Sequence, residues 1–471
     1  MTGLNAAWIA AASGGEWLSP AFPDLVSGFS FDSRRVRPGE AFIALPGAVR
    51  DGHAYIGDAC AKGASMALVS RRDHYPLPAL WTRDTTDALW RMARFARAGF
   101  EGTVIGVTGS SGKTSTKDLL HHLMGSGNVL KTEGNWNNQI GLPMTLLRLV
   151  HSEPPWRAAV VEVGINKPGE MEPLAQLLSP DLGILTSVGS AHLDGFGSLE
   201  AIAAEKARLL PRNGLSFVAS GTLAYPEVAE RVERSGVVVG PEETPPKAIP
   251  GTQTDWVGFS CQPRPGGFWV SLRSDRYGDL KFSLRSFSRG MASNAVLAAC
   301  VAMEMGTAPR LVRERMERWE PSPWRGQFMK RGKKLLFLDC YNANPASMID
   351  GLEAFDRMTP SGKRVFVLGS MAELGERSAA LHEEVGAEIP ARSGDRIIFI
   401  GKAAGDYASG FVRRGMDGVE VLVFQTTAEV GSALLDGEAC FLKGSREYGL
   451  EAIYQKMEMG DGNGLEEEGA C

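Results

Sequence analysis

The feature that most constrains this chain is the run Thr108-Gly109-Ser110-Ser111-Gly112-Lys113-Thr114, set between an apolar stretch, Thr103-Val104-Ile105-Gly106-Val107, and a helical period from Thr114 to Met124. A buried strand that feeds a Gly/Ser turn and then a helix is the context a phosphate-binding loop requires. Glycines let successive backbone N–H groups turn inward, the helix start adds donors and positive potential, the lysine reaches terminal phosphates, and the following hydroxyl suits magnesium. The strict pattern has Gly where Val107 stands, with Gly106 one place early. The alternative for such a run is a Gly/Ser turn with an exposed lysine. Two further apolar runs, AAVVEVG (158–164) and LGILTSVG (182–189), are separated by helical text, the alternation of a parallel sheet.

At 471 residues the chain is too long for one ordinary core, and at roughly 100–200 residues per domain it predicts about three. The first, 1–101, alternates AFIAL, HAYIGDACAKGA, SMALVS and TDALWRMARFARAG and reads as a small α/β unit. The second, 102–320, opens at Gly102 and carries the phosphate loop. Within it, 235–286 shifts to Pro, Gly and alternating runs such as FWVSLRS and LKFSLRS, which predicts an antiparallel insertion or lobe. Two helical runs then lead to a stop at Pro321-Ser322-Pro323. The third, 321–458, repeats strand–helix units (KLLFLDC, RVFVLGS, RIIFIG, VEVLVF, ACFLKGS) in a doubly wound, Rossmann-like pattern, with ligands expected at the carboxyl ends of the strands. The Gly-rich, acidic tail, 459–471, is expected to be disordered. The fold class is therefore α/β throughout.

Charge and cysteine usage narrow the function. The formal net charge is -5, from 50 Lys+Arg and 55 Asp+Glu, which disfavours a nucleic-acid partner but leaves a phosphate-bearing small molecule open. The six cysteines show no C-x-x-C spacing, so neither a zinc site nor a disulfide framework is predicted. No Lys or Arg precedes Arg34, so the apolar stretch Ala6–Ala12 lacks the cationic flank of a signal peptide, and no run reaches membrane-spanning length. A cytoplasmic monomer without membrane insertion is expected.

Other residues gain meaning from position. Glu162 ends an apolar strand, where a carboxylate is costly unless paired or metal-bound; a surface-edge glutamate is the alternative. His192 follows the next strand in SAHLDGFGS, where a turn residue is the commoner reading. Lys206, in AIAAEKARLL, reads by pattern as a solvated lysine on an amphipathic helix. Asp339 reads as a strand-end cap, and the asparagines of YNANP as turn residues.

Taken together, TGSSGKT, TEGNWNNQIGLP (132–143), VVEVG and SAHLDGFGSLEAIAAEKARLL resemble the central ATPase domain of the Mur ligases. DCYNANPASM (339–348) and LGSMAELG (368–375) resemble the D-alanyl-D-alanine-adding branch of that family. FDSRRVRPGEAFIALPGAVRDGHAYIGDACAKGA (31–64) resembles its uridine-nucleotide-binding domain, and FLKGSR (441–446) its last strand. The resemblance runs in order over nearly the whole chain.

It implies an ATP-dependent carboxylate–amine ligase of peptidoglycan precursor synthesis. Such an enzyme joins D-alanyl-D-alanine to UDP-N-acetylmuramoyl-tripeptide through an acyl phosphate, with ATP and two Mg2+ ions. By the same resemblance Thr108, Gly109, Ser110, Ser111, Gly112, Lys113, Thr114 and Ser115 hold the ATP phosphates. Asn294, Arg325 and Asp339 contact adenine, phosphate and ribose. Ser33 and Arg34 contact the uridine diphosphate, and Asn135, Asn138, Tyr341, Asn342 and Asn344 line the substrate junction. Thr114 and Glu162 serve one magnesium, His192 the second, and Lys206 carries a CO2-derived carbamate; Lys113, His192 and Lys206 form the catalytic set. Two rivals stand beside this. Another ligase of the same fold would add a different group, although the Asp-Asn-Pro-Arg run of diaminopimelate-adding relatives is replaced here by YNANP. A switch that binds ATP without ligation would need no second metal.

Overall fold

The computed structural model describes residues 4–47, 50–150, 155–233, 235–245, 254–332 and 334–460. Its main strands fall into three sheets that follow one another along the chain. The amino-terminal sheet has five strands in the order Glu16–Trp17, Ala79–Trp81, Met66–Val69, Ala41–Ile43, Phe29–Ser30, parallel except for the first. Helix Thr85–Ala98 starts where the Asp84 carboxylate accepts from Thr86 N and Asp87 N at 2.6 and 3.0 Å, satisfying donors that a helix start leaves open. Its buried Ala88, Leu89, Met92 and Ala96 share one core with Ile9 of helix Ala6–Ser13 and with Met144 and Leu147, which come from the next part of the chain. The apolar Ala6–Ala12 run is thus a core helix.

The second sheet has nine strands. The strand that carries the phosphate loop is Thr103–Thr108, third from one edge and flanked by Ala158–Glu162 on one side and Leu182–Leu185 on the other, both parallel to it. Register places Glu162 beside Val107, so the phosphate loop and this carboxylate emerge at the same carboxyl edge. The helix after the loop is Lys113–Met124, one residue earlier than the sequence suggests. Segment 235–286 is not a separate lobe. Gly236–Pro241 and Thr254–Arg264 continue the parallel sheet, and only Gly267–Arg273 and Leu280–Leu284 pair antiparallel at its edge. Alternation along a strand reports a half-buried face and not which sheet it joins. Here that face, with Phe268, Val270, Leu272, Phe282 and Leu284, packs in one core with Ala295, Val296 and Ala299 of helix Arg289–Glu304.

The third sheet has six strands in the order Gln327–Arg331, Lys334–Asp339, Ala439–Lys443, Arg364–Gly369, Arg396–Ile400, Glu420–Phe424, parallel except for the first. The last strand in sequence inserts between two early ones and sets Lys443 beside Asp339. One core joins this part to the central one: Leu193 and Phe196 pack in the same cluster as Met371 and Leu374. Helix Glu451–Gly460 runs slightly past the expected end at 458, and 461–471 of the tail lie outside the described residues. No described helix is long and apolar enough to cross a membrane.

Candidate functional site

A cleft of about 780 Å³ opens where the carboxyl edges of the second and third sheets face each other. Its floor is the phosphate loop. Thr108 ends the strand that carries the loop, and its hydroxyl donates to Val163 O at 3.0 Å, tying the loop to the neighbouring strand. Gly109 has φ 153° and Gly112 φ 83°; a Cβ on Gly109 would run into Thr186 Oγ1, and one on Gly112 into the Asn294 amide. Only glycine fits either place, and Asn294 is thereby packed on the loop. Ser110, Ser111, Gly112, Lys113, Thr114 and Ser115 all line the cleft. The Lys113 ammonium donates to Gly109 O at 2.7 Å, folded back on its own loop. Burial pushes its pKa down, opposed by Glu162 and reinforced by Arg325.

Glu162 is 1 % exposed, and the sequence puzzle of a carboxylate in an apolar strand resolves through its partners. Oε2 accepts from the Thr114 hydroxyl at 2.9 Å and Oε1 from the Asn137 amide at 2.7 Å, while the buried Lys117 ammonium lies 3.8 Å from Oε2. Lys117 itself donates to Thr132 O and Gly134 O at 3.0 and 3.2 Å, holding the loop that carries Asn135 and Asn138. Both asparagines line the cleft. Asn138 Oδ1 also accepts from Gly141 N at 2.9 Å at the start of helix Gly141–Leu147.

Lys206 overturns its local pattern. Helix Leu199–Ala207 buries it to 2 % exposure, and no described residue gives its ammonium a hydrogen bond or an ion pair. Burial drives its pKa well below the usual lysine range, and the nearby Lys113 pushes in the same direction. It does not line the cleft but lies close enough to act on two residues that do, Lys113 and His192. His192 stands in the left-handed region, φ 59°, with Nδ1 2.5 Å from Glu373 Oε2 of the third sheet's loops.

The third part supplies the opposite wall. Asn344 caps helix Pro345–Met358 through Ser347 N at 2.9 Å, as turn chemistry suggests, and its Nδ2 also crosses the cleft to donate to Ser111 Oγ at 2.8 Å. Asp339 is ion-paired with the buried Lys443, which also donates to Asn342 O at 3.2 Å. The Arg325 guanidinium lies 3.7 Å from the centroid of the Tyr341 ring. Asp350 closes the far end: it accepts from Arg289 N and Gly290 N at 3.0 and 3.2 Å and from the Ser288 hydroxyl, so it sits on the first turn of helix Arg289–Glu304.

Two expected residues lie elsewhere. Ser33 is buried and Arg34 is 81 % exposed, its guanidinium paired with Asp32 at 2.8 and 2.9 Å. The neighbouring Arg35 reaches the cleft's own loop, donating to Glu133 Oε1 at 2.8 Å. Five site residues were not anticipated: Lys117, Asn137, Asp350, Glu373 and Lys443. Lys443 carried the same signal as Glu162, a charge ending an apolar strand; the others read as ordinary helix or turn positions. Among the described residues no group of three His, Cys, Asp or Glu side chains converges on a common point. Magnesium at a triphosphate relies on one or two carboxylates and a hydroxyl, with phosphates and water completing the shell, and the Thr114–Glu162 pair fits that role.

Three family models match in chain order: "Mur ligase family, catalytic domain" over residues 25–86, "Mur ligase middle domain" over 107–302, and "Mur ligase, glutamate ligase domain" over 324–446. The UDP-N-acetylmuramoyl-tripeptide--D-alanyl-D-alanine ligase of Escherichia coli K12 is 31% identical over 447 residues, covering 93% of this chain and 94% of that one. The ligase of the same name from Mycobacterium tuberculosis is 32% identical over 413 residues, 79% and 77% of the two chains. Among solved structures, MurF from Acinetobacter baumannii superposes with a TM-score of 0.80 at 26% identity over 97% and 99% of the chains. MurF from Thermotoga maritima, in complex with ADP, superposes with a TM-score of 0.73 at 25% identity over 92% and 97%.

Proposed function

The chain belongs to the Mur ligase family, and from that premise we propose that it is the ATP-dependent ligase that joins D-alanyl-D-alanine to UDP-N-acetylmuramoyl-tripeptide. The products are UDP-N-acetylmuramoyl-pentapeptide, ADP and phosphate. One observation carries this reading: a phosphate loop with a buried metal-type carboxylate faces, across one cleft, the YNANP loop of another domain, and Asn344 bridges the two at Ser111. A site built only to hold ATP has no need of a second domain's polar loop.

A carboxylate does not acylate an amine in neutral water, so the tripeptide acid is first phosphorylated by the γ-phosphoryl of ATP. The anionic acid must approach an anionic triphosphate, and positive charge is what lowers that barrier. Lys113 supplies it from the loop, with backbone N–H groups of Gly112 to Thr114 at the helix start on the phosphates. Thr114 and Glu162 would hold a magnesium ion, and His192 with Lys206 a second; bound there, the ions neutralise phosphate charge. The buried, unpartnered Lys206 supports its assignment as a carbamate. A neutral amine adds CO2 and loses a proton, and the resulting anion has two hard oxygens where an ammonium would repel both Lys113 and a metal.

Asn294, Arg325 and Asp339 then take adenine, phosphate and ribose, with Lys443 holding the Asp339 carboxylate. Asn135, Asn138, Tyr341, Asn342 and Asn344 line the junction at which the dipeptide amine attacks, while Ser33 and Arg34 of a domain spanning 1–101 receive the uridine diphosphate. The domains 102–320 and 321–458 close on the labile acyl phosphate and exclude water. The enzyme works as a monomer in the cytoplasm. Mass spectrometry of the product formed from ATP, the diaminopimelate or lysine form of the UDP-tripeptide, and a panel of dipeptides tests this. The pentapeptide, with one ADP per product, is expected; phosphate release that ignores the dipeptide would refute the assignment.

A further inference from the structure

The contact between His192 and Glu373 is not explained by packing alone. Each residue sits in the left-handed backbone region, φ 59° and 62°, which non-glycine residues adopt at a cost, and the two strained positions meet each other across the domain boundary. The meeting is backed on both sides. Asp194 N donates to Glu373 O at 3.1 Å, and Gly375, φ 59°, lies so close to Asp194 that a Cβ would come within 2.9 Å of its carboxylate. Below, Met371 N donates to His382 Nε2 and Ala372 N to Ser445 Oγ, both at 2.8 Å, so the loop is fixed to the third domain before it reaches the second. Leu193, Phe196, Met371 and Leu374 bury the space between.

His192 Nδ1 is itself buried and, among the described residues, has the Glu373 carboxylate as its one ion-pair neighbour, 2.5 Å away and off the axis of a good hydrogen bond. The ring's remaining exposure, 21 % of the side chain, therefore lies on other atoms, and His192 lines the cleft. A carboxylate at one imidazole nitrogen fixes the proton there and leaves the other nitrogen's lone pair free, the arrangement by which metal-binding histidines are oriented.

We infer that Glu373 is a positioning residue for His192: its carboxylate beside Nδ1 favours the proton on that nitrogen and leaves Nε2 for the cleft, so that the second metal position is complete only when the third domain is docked. Glu373 touches neither substrate nor metal in this arrangement. This rests on the reading of His192 as a metal ligand. Its consequence is that metal affinity at that position reports domain docking, and a nucleotide bound to an undocked enzyme lacks the second ion.

Titration of the full-length enzyme with Mn2+ in the presence of a non-hydrolysable ATP analogue, followed by electron paramagnetic resonance, reads the two positions directly. Glu373→Ala should weaken the second Mn2+ by roughly 10- to 100-fold and leave the first unchanged, and His192→Ala/Glu373→Ala should be no weaker than His192→Ala alone. Glu373→Gln, which keeps an acceptor oxygen beside Nδ1 without the charge, should recover part of the loss. If His192→Ala loses the second ion while Glu373→Ala keeps it, the positioning role is wrong and the metal site stands. If neither substitution alters the second ion, the metal reading of His192 fails as well.

Discussion

Replacement of Asp350 tests how much this carboxylate contributes to holding the third domain on the second. Asp350 lies on helix Pro345–Met358 and accepts three hydrogen bonds from the start of helix Arg289–Glu304, at Arg289 N, Gly290 N and the Ser288 hydroxyl. A carboxylate at a helix N-terminus gains from the helix dipole, yet burial raises its pKa above the usual aspartate value, so desolvation consumes part of the gain. Counting each bond near the low end for buried polar pairs, Asp350→Ala should weaken docking by about 2 kcal/mol, a shift of roughly 30-fold toward the open arrangement. Asp350→Asn keeps an oxygen acceptor for the two backbone donors and removes the desolvated charge, so it should dock about as well as the native residue. The sign with pH follows from the raised pKa. Docking support from this group is fully present below the unfolded aspartate pKa and is lost as pH rises through the folded value, so native docking firms on acidification. In Asp350→Asn that dependence disappears. Single-molecule fluorescence transfer between labels on the two domains measures the open fraction. An unchanged fraction in Asp350→Ala, or an Asn variant as open as the Ala variant, would refute the reasoning.

Lys113→Ala should abolish ATP-dependent ligation while calorimetry shows binding of the UDP precursor nearly intact; equal loss of both in a folded protein would break the assignment of the two ligands to different domains. Arg34→Ala should raise the KM for the UDP substrate far more than that for ATP, although its guanidinium must first leave Asp32; an unchanged KM returns Arg34 to the solvated surface. For Lys206, burial lowers the pKa, so the neutral amine is more available than in a free lysine and the carbamate should form more readily, fading as pH falls. A 13C carbamate resonance from labelled bicarbonate should appear in the native enzyme and be absent from Lys206→Ala, whose ligation a small carboxylate should partly restore.

The parts legible in the sequence were those set by local chemistry. A strand, a Gly/Ser turn and a helix in succession demand a phosphate loop, and both glycines of that turn, Gly109 and Gly112, stand where the structure leaves no room for a Cβ. Strand order was not legible, because the insertion of Ala439–Lys443 between strands far earlier in sequence depends on long-range packing. At 235–286 the antiparallel pairing of FWVSLRS with LKFSLRS was legible but their place in the central sheet was not, for the same reason: alternation is a property of one strand, whereas membership of a sheet is a property of its neighbours. Lys206 shows the limit most clearly. A lysine on an amphipathic helix ordinarily reads as solvated, although Ile202 and Ala203 share its face, and the closing of neighbouring elements over Leu199–Ala207 buries it.

The contacts that assemble the cleft share a geometry that no local pattern encodes. Asn344 reaches Ser111 from the loop after strand Lys334–Asp339, Glu373 reaches His192 from the loop after Arg364–Gly369, and Asp350 reaches Arg289 and Gly290 from the helix that begins at Pro345. Two of these are loops at carboxyl strand ends, meeting loops at carboxyl strand ends of the other sheet, which is where open parallel sheets leave backbone donors and space for ligands. Each contact takes up a polar group that water would otherwise satisfy, so docking exchanges solvent for protein partners at modest net cost. Polar contacts of this kind suit an interface that must open and close, as in an enzyme that admits three substrates and then shields an acyl phosphate from water. Lys206 beside Lys113 adds the opposite tendency: burial disfavours the charged form of both, and Lys113 disfavours it further on Lys206, with Glu162 and Glu205 offsetting part of the cost. Nucleotide phosphates or a carbamate would relieve the remainder, and so the charge pattern itself favours closing only on a loaded site.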